Sequence, residues 1–240
     1  MFKRLIALCF VNIVCANIIY IPDRDDSKLI MPIVKPYLPN NPIIIEAGAF
    51  NGHESILFAK TWPQATIYSF EPVPQIFELL QNNTKNFSQI HCFQLALSNK
   101  NGCAPFVVSE EKNRPNIPSA AGSLLIPKEH WKNSSTLFNK MIVVPTIILD
   151  DWAKKNDISN VDFLWLDTQG TELDILKSSP GILATVKVIY IEVEFIEAYA
   201  GQPLYSDIKK FLEAQGFKVI ARDFDDPPKH WYGNVVFVRG

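Results

Sequence analysis

From residue 43 onward the chain alternates short apolar runs with amphipathic stretches, and this alternation constrains the fold more than any other feature. Runs at 43–47, 66–70, 90–97, 161–166 and 187–193 have strand length and are apolar enough for burial on both faces. Between and after them, 54–60, 74–82, 149–155, 171–177 and 205–214 have helical periodicity, the second opening on Pro74 and the last closing before Gly216. Strands separated by helices imply crossovers and a parallel sheet. The end of the chain departs from this rhythm. Runs at 217–221 and 234–238 are joined by a loop holding Asp225-Asp226-Pro227-Pro228, which cannot be helical. With no crossover helix, these two runs must pair as an antiparallel hairpin. The expected fold is α/β: a doubly wound, mostly parallel sheet with a C-terminal antiparallel hairpin.

With 240 residues the chain has room for one such domain and a short leader. A net charge of −2, with Lys and Arg scattered, gives no basic stripe for nucleic acid. At the start, Lys3 and Arg4 precede an apolar run over 5–14, and Val14-Cys15-Ala16 offers small residues for cleavage. That layout matches a secretory signal peptide, and the run is short for a membrane span. The expected organisation is a signal or anchor at 1–16, an extension at 17–42, and one domain at 43–240. Export, an extracytoplasmic site or membrane association follows if the leader acts, and a cytoplasmic site if it does not. Residues 110–140 interrupt the rhythm with Pro, Ser and Asn, and read as a loop-like lid or acceptor-binding insertion after a short strand at 106–109. Once the leader is set aside, the cysteines are Cys92 and Cys103, without metal-ligand spacing.

Three stretches carry candidate chemistry. Ile45-Glu46-Ala47-Gly48-Ala49-Phe50-Asn51-Gly52 leaves the first strand and enters a helix, with glycines that let backbone approach a ligand. Its G-x-x-x-G spacing is neither the dinucleotide fingerprint nor a P-loop. Glu71 ends the next strand, where a carboxylate can accept both hydroxyls of a ribose. Asp167 ends a central strand inside Leu166-Asp167-Thr168-Gln169-Gly170-Thr171-Glu172, and Glu192 and Glu194 end the neighbouring one, alternating onto a common face. An acidic cluster of Asp167, Glu192 and Glu194 is expected, with Glu172 as a helix-start charge.

The ordered set EAGAFNGHES, FEPVP, ALSNKNG, GSLL and LDTQGTELDILKS resembles the FkbM-type methyltransferases, from about residue 43 to 194. The resemblance implies a class I methyltransferase fold, S-adenosyl-L-methionine as cofactor, and methylation of a hydroxyl on a sugar or small metabolite. It places Glu46, Gly48, Asn51 and Gly52, with Ala49 in the same loop, at the methionine portion. Glu71 falls at the ribose, Ala96 and Leu97 near the adenine, and Asp167 at the reaction centre. Two positions depart from common members: Glu46 where Asp is usual, and LDTQG where an Asp-Val-Glu-Gly run is frequent, so the role of Gln169 is open. Deprotonation of a hydroxyl needs a base. Asp167 is the first candidate, with His130 and Glu194 next and His53, His91 and His230 also considered. No metal is required, although Asp167 and Glu194 have suitable oxygens for magnesium. The competing readings are a non-catalytic exported nucleotide-binding domain and a Rossmann oxidoreductase.

Overall fold

The computed structural model describes residues 18–23, 26–128, 131 and 134–240. In chain order the elements are β1 (Ile19–Tyr20), α1 (Ile30–Val34), β2 (Ile43–Ala47), α2 (His53–Thr61), β3 (Thr66–Phe70), α3 (Pro74–Thr84) and β4 (Ile90–Phe93). There follow β5 (Ala96–Leu97), β6 (Gly102–Glu111), β7 (Arg114–Pro118), β8 (Thr136–Ile147), α4 (Leu149–Lys155), β9 (Phe163–Leu166) and α5 (Glu172–Ser178). The chain ends with α6 (Pro180–Leu183), β10 (Val188–Glu194), α7 (Tyr205–Ala214), β11 (Phe217–Arg222) and β12 (Tyr232–Arg239).

The main sheet runs β1-β11-β12-β10-β9-β2-β3-β4. Strand β12 lies antiparallel to both β10 and β11, and the remaining pairs are parallel. Alternation along β9 sorts the core: Leu164 and Leu166 face the cluster that includes Trp152, Leu176 and Leu212 of α4, α5 and α7. Phe163 and Trp165 face the other cluster, with Met31 and Val34 of α1 and Phe58 of α2. The segment before β2 therefore supplies core residues through α1. Helix α3 buries Ile76, Leu80 and Thr84, four residues apart, and starts on Pro74, whose missing N–H costs nothing there.

Two expectations need correction. Residues 90–97 are not one strand. The chain leaves the main sheet after Phe93, and Ala96–Leu97 pairs with β8 in a second sheet ordered β5-β8-β6-β7. Residues 110–140 are not mainly loop either: β7 and the start of β8 build on β6 there. Periodicity hid these strands because much of β8 is exposed or half-buried, with only Val144, Thr146 and Ile147 buried. Such a strand needs no apolar run. The leader at 1–16 and His130 lie outside the described residues, and among those described no helix is long and apolar enough to cross a membrane.

Candidate active site

At the carboxyl ends of β2, β3, β9 and β10 lies a cavity of about 380 Å³, in the range of small-molecule sites. Its centre is the turn after β2. Gly48 has φ of 85°, and a Cβ there would lie 1.9 Å from the Asp167 carbonyl oxygen, so only glycine lets β2 and β9 approach this closely. Asn51 lines the cavity, and its Oδ1 accepts the His53 N–H at 3.1 Å. Ala49 and Gly52 shape the loop without lining the cavity, Gly52 capping α2 with φ of 82°.

Glu71 lines the cavity with its carboxylate held by two backbone donors, Phe50 N–H at 3.2 Å and Val73 N–H at 2.8 Å. Burial pushes its pKa up to about 7, against the opposing pull of those donors. Beyond it the wall is apolar, formed by Val73, Ile76, Ala96, Leu97 and Phe106.

Glu46 is elsewhere. Alternation along β2 turns it to the face that α2 covers, where it is 1% exposed and accepts hydrogen bonds from Ser55 Oγ and Ser69 Oγ. Burial pushes it up to about 8. It ties α2 to β2 and β3 and does not line the cavity, contrary to the contact that the resemblance implies.

Asp167 lines the cavity, and a neutral amide separates it from Glu192. Gln169 Nε2 donates to Asp167 Oδ1 and to Glu192 Oε2, each at 2.7 Å. Burial, then the charge of Glu54, pushes Asp167 up to about 6, although the Gln169 hydrogen bond opposes this. Burial and the charge of Asp167 push Glu192 much higher. Two adjacent carboxyls cannot both ionise cheaply, so Glu192 retains the proton and Asp167 carries the charge.

The loop that aims Gln169 is bound on every side. Glu172 is buried and accepts from Thr168 N–H (2.7 Å), Thr168 Oγ (2.9 Å) and Gly170 N–H (3.1 Å). It is thus the loop's anchor, more than a helix-start charge. The Tyr199 hydroxyl sits 2.9 Å from Gln169 Oε1 and 2.8 Å from the Ala121 carbonyl, and Ser123 Oγ donates to the Gln169 carbonyl at 2.8 Å. These bonds hold Gln169 at φ of 56°, a conformation that is uncommon outside glycine. The insertion is thereby fastened to the acidic pair. Replacing Gln169 with Glu puts a third carboxyl where two N–H donors stood. The expected result is roughly a 10–100-fold loss of turnover, from hydrogen bonds to charged groups worth about 1.5–3 kcal/mol. The activity–pH midpoint should rise as well. A pH profile unchanged from wild type would remove Gln169 from this role.

The other candidates fall outside the cavity. Glu194 is 2% exposed, pushed up to about 9 by burial and then by Glu172, and hydrogen-bonded by Gln202. It belongs to the acidic cluster but does not line the cavity, so it shares no metal-sized opening with Asp167. Among the described residues no group of three or more His, Cys, Asp or Glu is placed to hold a metal ion. His91 stacks on Tyr68 in β4, His230 is exposed and away from the cavity, and His53 lines it. Cys92 and Cys103 are unpaired thiols. Sequence reasoning missed Ser27, Trp165, Tyr190, Tyr232 and Asn234, all of which line the cavity. Only the odd Gln169 hinted at the clamp.

The profile of the methyltransferase FkbM domain matches residues 46–219 of this chain. The chain belongs to the FkbM methyltransferase family. Among FkbM relatives, 2-O-methyltransferase NoeI of Sinorhizobium fredii is 29% identical over 163 residues, covering 68% of this chain and 67% of its own. Methyltransferase sdnD of Sordaria araneosa is 27% identical over 207 residues, 76% of each chain. The Methanococcus jannaschii fibrillarin pre-rRNA processing protein shares the fold, with a TM-score of 0.52 at 16% identity, covering 90% of this chain and 76% of that one. Fibrillarin in its complex with Nop5p gives 0.51 at 16% identity, covering 89% and 81%. The FkbM chain thus has the class I methyltransferase sheet, in which β12 is the antiparallel strand.

Proposed function

We propose that the protein is an S-adenosyl-L-methionine-dependent O-methyltransferase acting on a hydroxyl of a sugar or small metabolite. The observation that carries this reading is that Glu71 and Asp167, at the ends of β3 and β9, share the wall of one cavity. The residues fit the donor. Glu71 has both oxygens fixed by backbone N–H groups and spare lone pairs for a ribose diol. Val73, Ile76, Ala96, Leu97 and Phe106 offer an apolar slot for an adenine, and Gly48 and Asn51 border the turn toward Asp167. When bound, this donor supplies a methyl group on a positively charged sulfur.

The chain's own task is then to orient an acceptor and take its proton. Asp167, ionised and steadied by Gln169, is the group placed to accept that proton. Glu192, neutral beside it, does not compete for it. The printed activity of NoeI, a 2-O-methyltransferase, supports oxygen as the acceptor atom. The absence of a basic stripe in the sequence speaks against nucleic acid. Residues 1–16 support export or membrane anchoring on sequence grounds alone.

Glu71→Ala is expected to weaken binding of S-adenosylmethionine and S-adenosylhomocysteine by roughly 10–100-fold, the loss of hydrogen bonds to a charged group. Calorimetric titration reads this directly, with NAD as the control ligand. Unchanged affinity would remove Glu71 from the donor site. Tight NAD binding would overturn the methyltransferase chemistry.

A further inference from the structure

The cavity has a second end, which the donor's requirements do not use. Strand register places Trp165 beside Tyr190 and Glu192 beside Asn234, all on the α2 face of the sheet. His53 and Glu54, from the start of α2, close that end, and Ser27 reaches it from the segment before β2. The apolar donor slot lies on the other side of Gly48, against α3 and the second sheet.

The chemistry of this end is one-sided. Asn234 is 6% exposed, and its amide nitrogen donates to Asp223 Oδ2 at 2.7 Å, which fixes the amide and leaves Oδ1 as the group it can offer. Glu54 and Asp167 add carboxylate oxygens. Among the described residues, the cavity has no Lys or Arg on any wall. A phosphate or carboxylate placed there would face Glu54 and Asp167 with no cation to compensate. Hydroxyl groups would find acceptors on three sides and the Trp165 and Tyr190 rings beneath.

We propose that this end, bounded by Glu54, Trp165, Tyr190 and Asn234, binds the methyl acceptor, and that the acceptor is a polyhydroxylated ring bearing no anionic group. The assignment rests on the methyltransferase reading and narrows it: phosphorylated sugars, nucleotide sugars and sugar acids are excluded by charge. Glu54 is the selectivity residue, since it contributes a negative charge close enough to raise the pKa of Asp167.

The test uses the full-length protein and matched acceptor pairs: a panel of methyl glycosides and their 6-phosphates. Saturation-transfer NMR reads acceptor binding without the donor. Transfer of tritium from methyl-labelled S-adenosylmethionine reads turnover. The uncharged members should bind and be labelled at least tenfold better than their phosphates. Glu54→Lys should shift that ratio toward the phosphates by about tenfold, equivalent to ~1.4 kcal/mol. Glu54→Gln should shift it in the same direction by less, and covers the case in which the Lys variant does not fold. Because each ratio compares two acceptors on one enzyme, any change in the ionisation of Asp167 cancels. Phosphates bound as well as glycosides, or a ratio unmoved in a folded variant, would overturn the proposal. So would a panel in which no uncharged member binds. Failure of S-adenosylmethionine to bind in calorimetry, with the glycoside preference intact, would instead strike the donor reading.

Discussion

Asp167→Asn is expected to lower turnover by about 10²–10⁴-fold, the usual cost of losing a general base. Donor affinity should remain near wild type. Asn keeps the carbonyl that accepts the Gln169 amide, so the clamp to Glu192 survives while the basicity goes. The pH profile supplies the second arm. Asp167 can take a proton only when ionised, so wild-type turnover should rise with pH through about 6 and level off above it. That limb belongs to the Asp167–Glu192 pair as a unit. In the Asn variant it should vanish. Single-turnover rates separate the chemical step from product release. If donor binding collapses together with turnover, Asp167 is a donor ligand and not the base. If turnover is untouched, the acceptor is acidic enough to need no base.

Gly48→Ala should cost more stability than any other single methyl group added near the site. The new Cβ would lie 1.9 Å from a backbone carbonyl of β9, and φ there is 85°. Neither element can move without separating two central strands. Positive-φ strain and overpacking each cost about 1–3 kcal/mol, so a loss of roughly 3 kcal/mol or more is expected. That is a large share of the ~5–15 kcal/mol that holds a domain folded. Gly52→Ala is the internal comparison. Its Cβ meets the side-chain ends of Leu80 and Thr84 at 2.8 Å, which can rotate away, so its cost should be smaller. Urea unfolding midpoints of the two variants decide the matter. Equal, small shifts would mean that the β2–β9 approach is looser than described.

The sheet was legible because its strands are buried on both faces and separated by amphipathic helices, a pattern carried by local residue order. Ile44, Ile45, Leu164, Leu166, Ile189 and Ile191 must be covered wherever they lie, and only a doubly wound sheet covers them all. The antiparallel end was legible for a similar reason: Asp225-Asp226-Pro227-Pro228 forbids the helix that a parallel return requires. The positions of Glu71 and Asp167 followed from their places at strand ends. The second sheet was not legible, because β8 pairs with β6 over long range while leaving Met141 and Val143 in solvent, so no apolar period marks it.

The roles of the carboxylates were decided by tertiary structure alone. Glu46, Glu71, Asp167, Glu192 and Glu194 are similar side chains in similar strand-end contexts, and sequence gives no means to rank them. Burial and neighbours rank them. Two serines enclose Glu46, Glu194 is buried outside the cavity, and Gln169 stands between Glu192 and Asp167. A carboxyl's charge state depends on the water it has lost and on the charges within a few ångströms, and both are properties of the folded surroundings. The chain order determined which strand ends would meet at the cavity. The fold decided which of the acids meeting there stays charged.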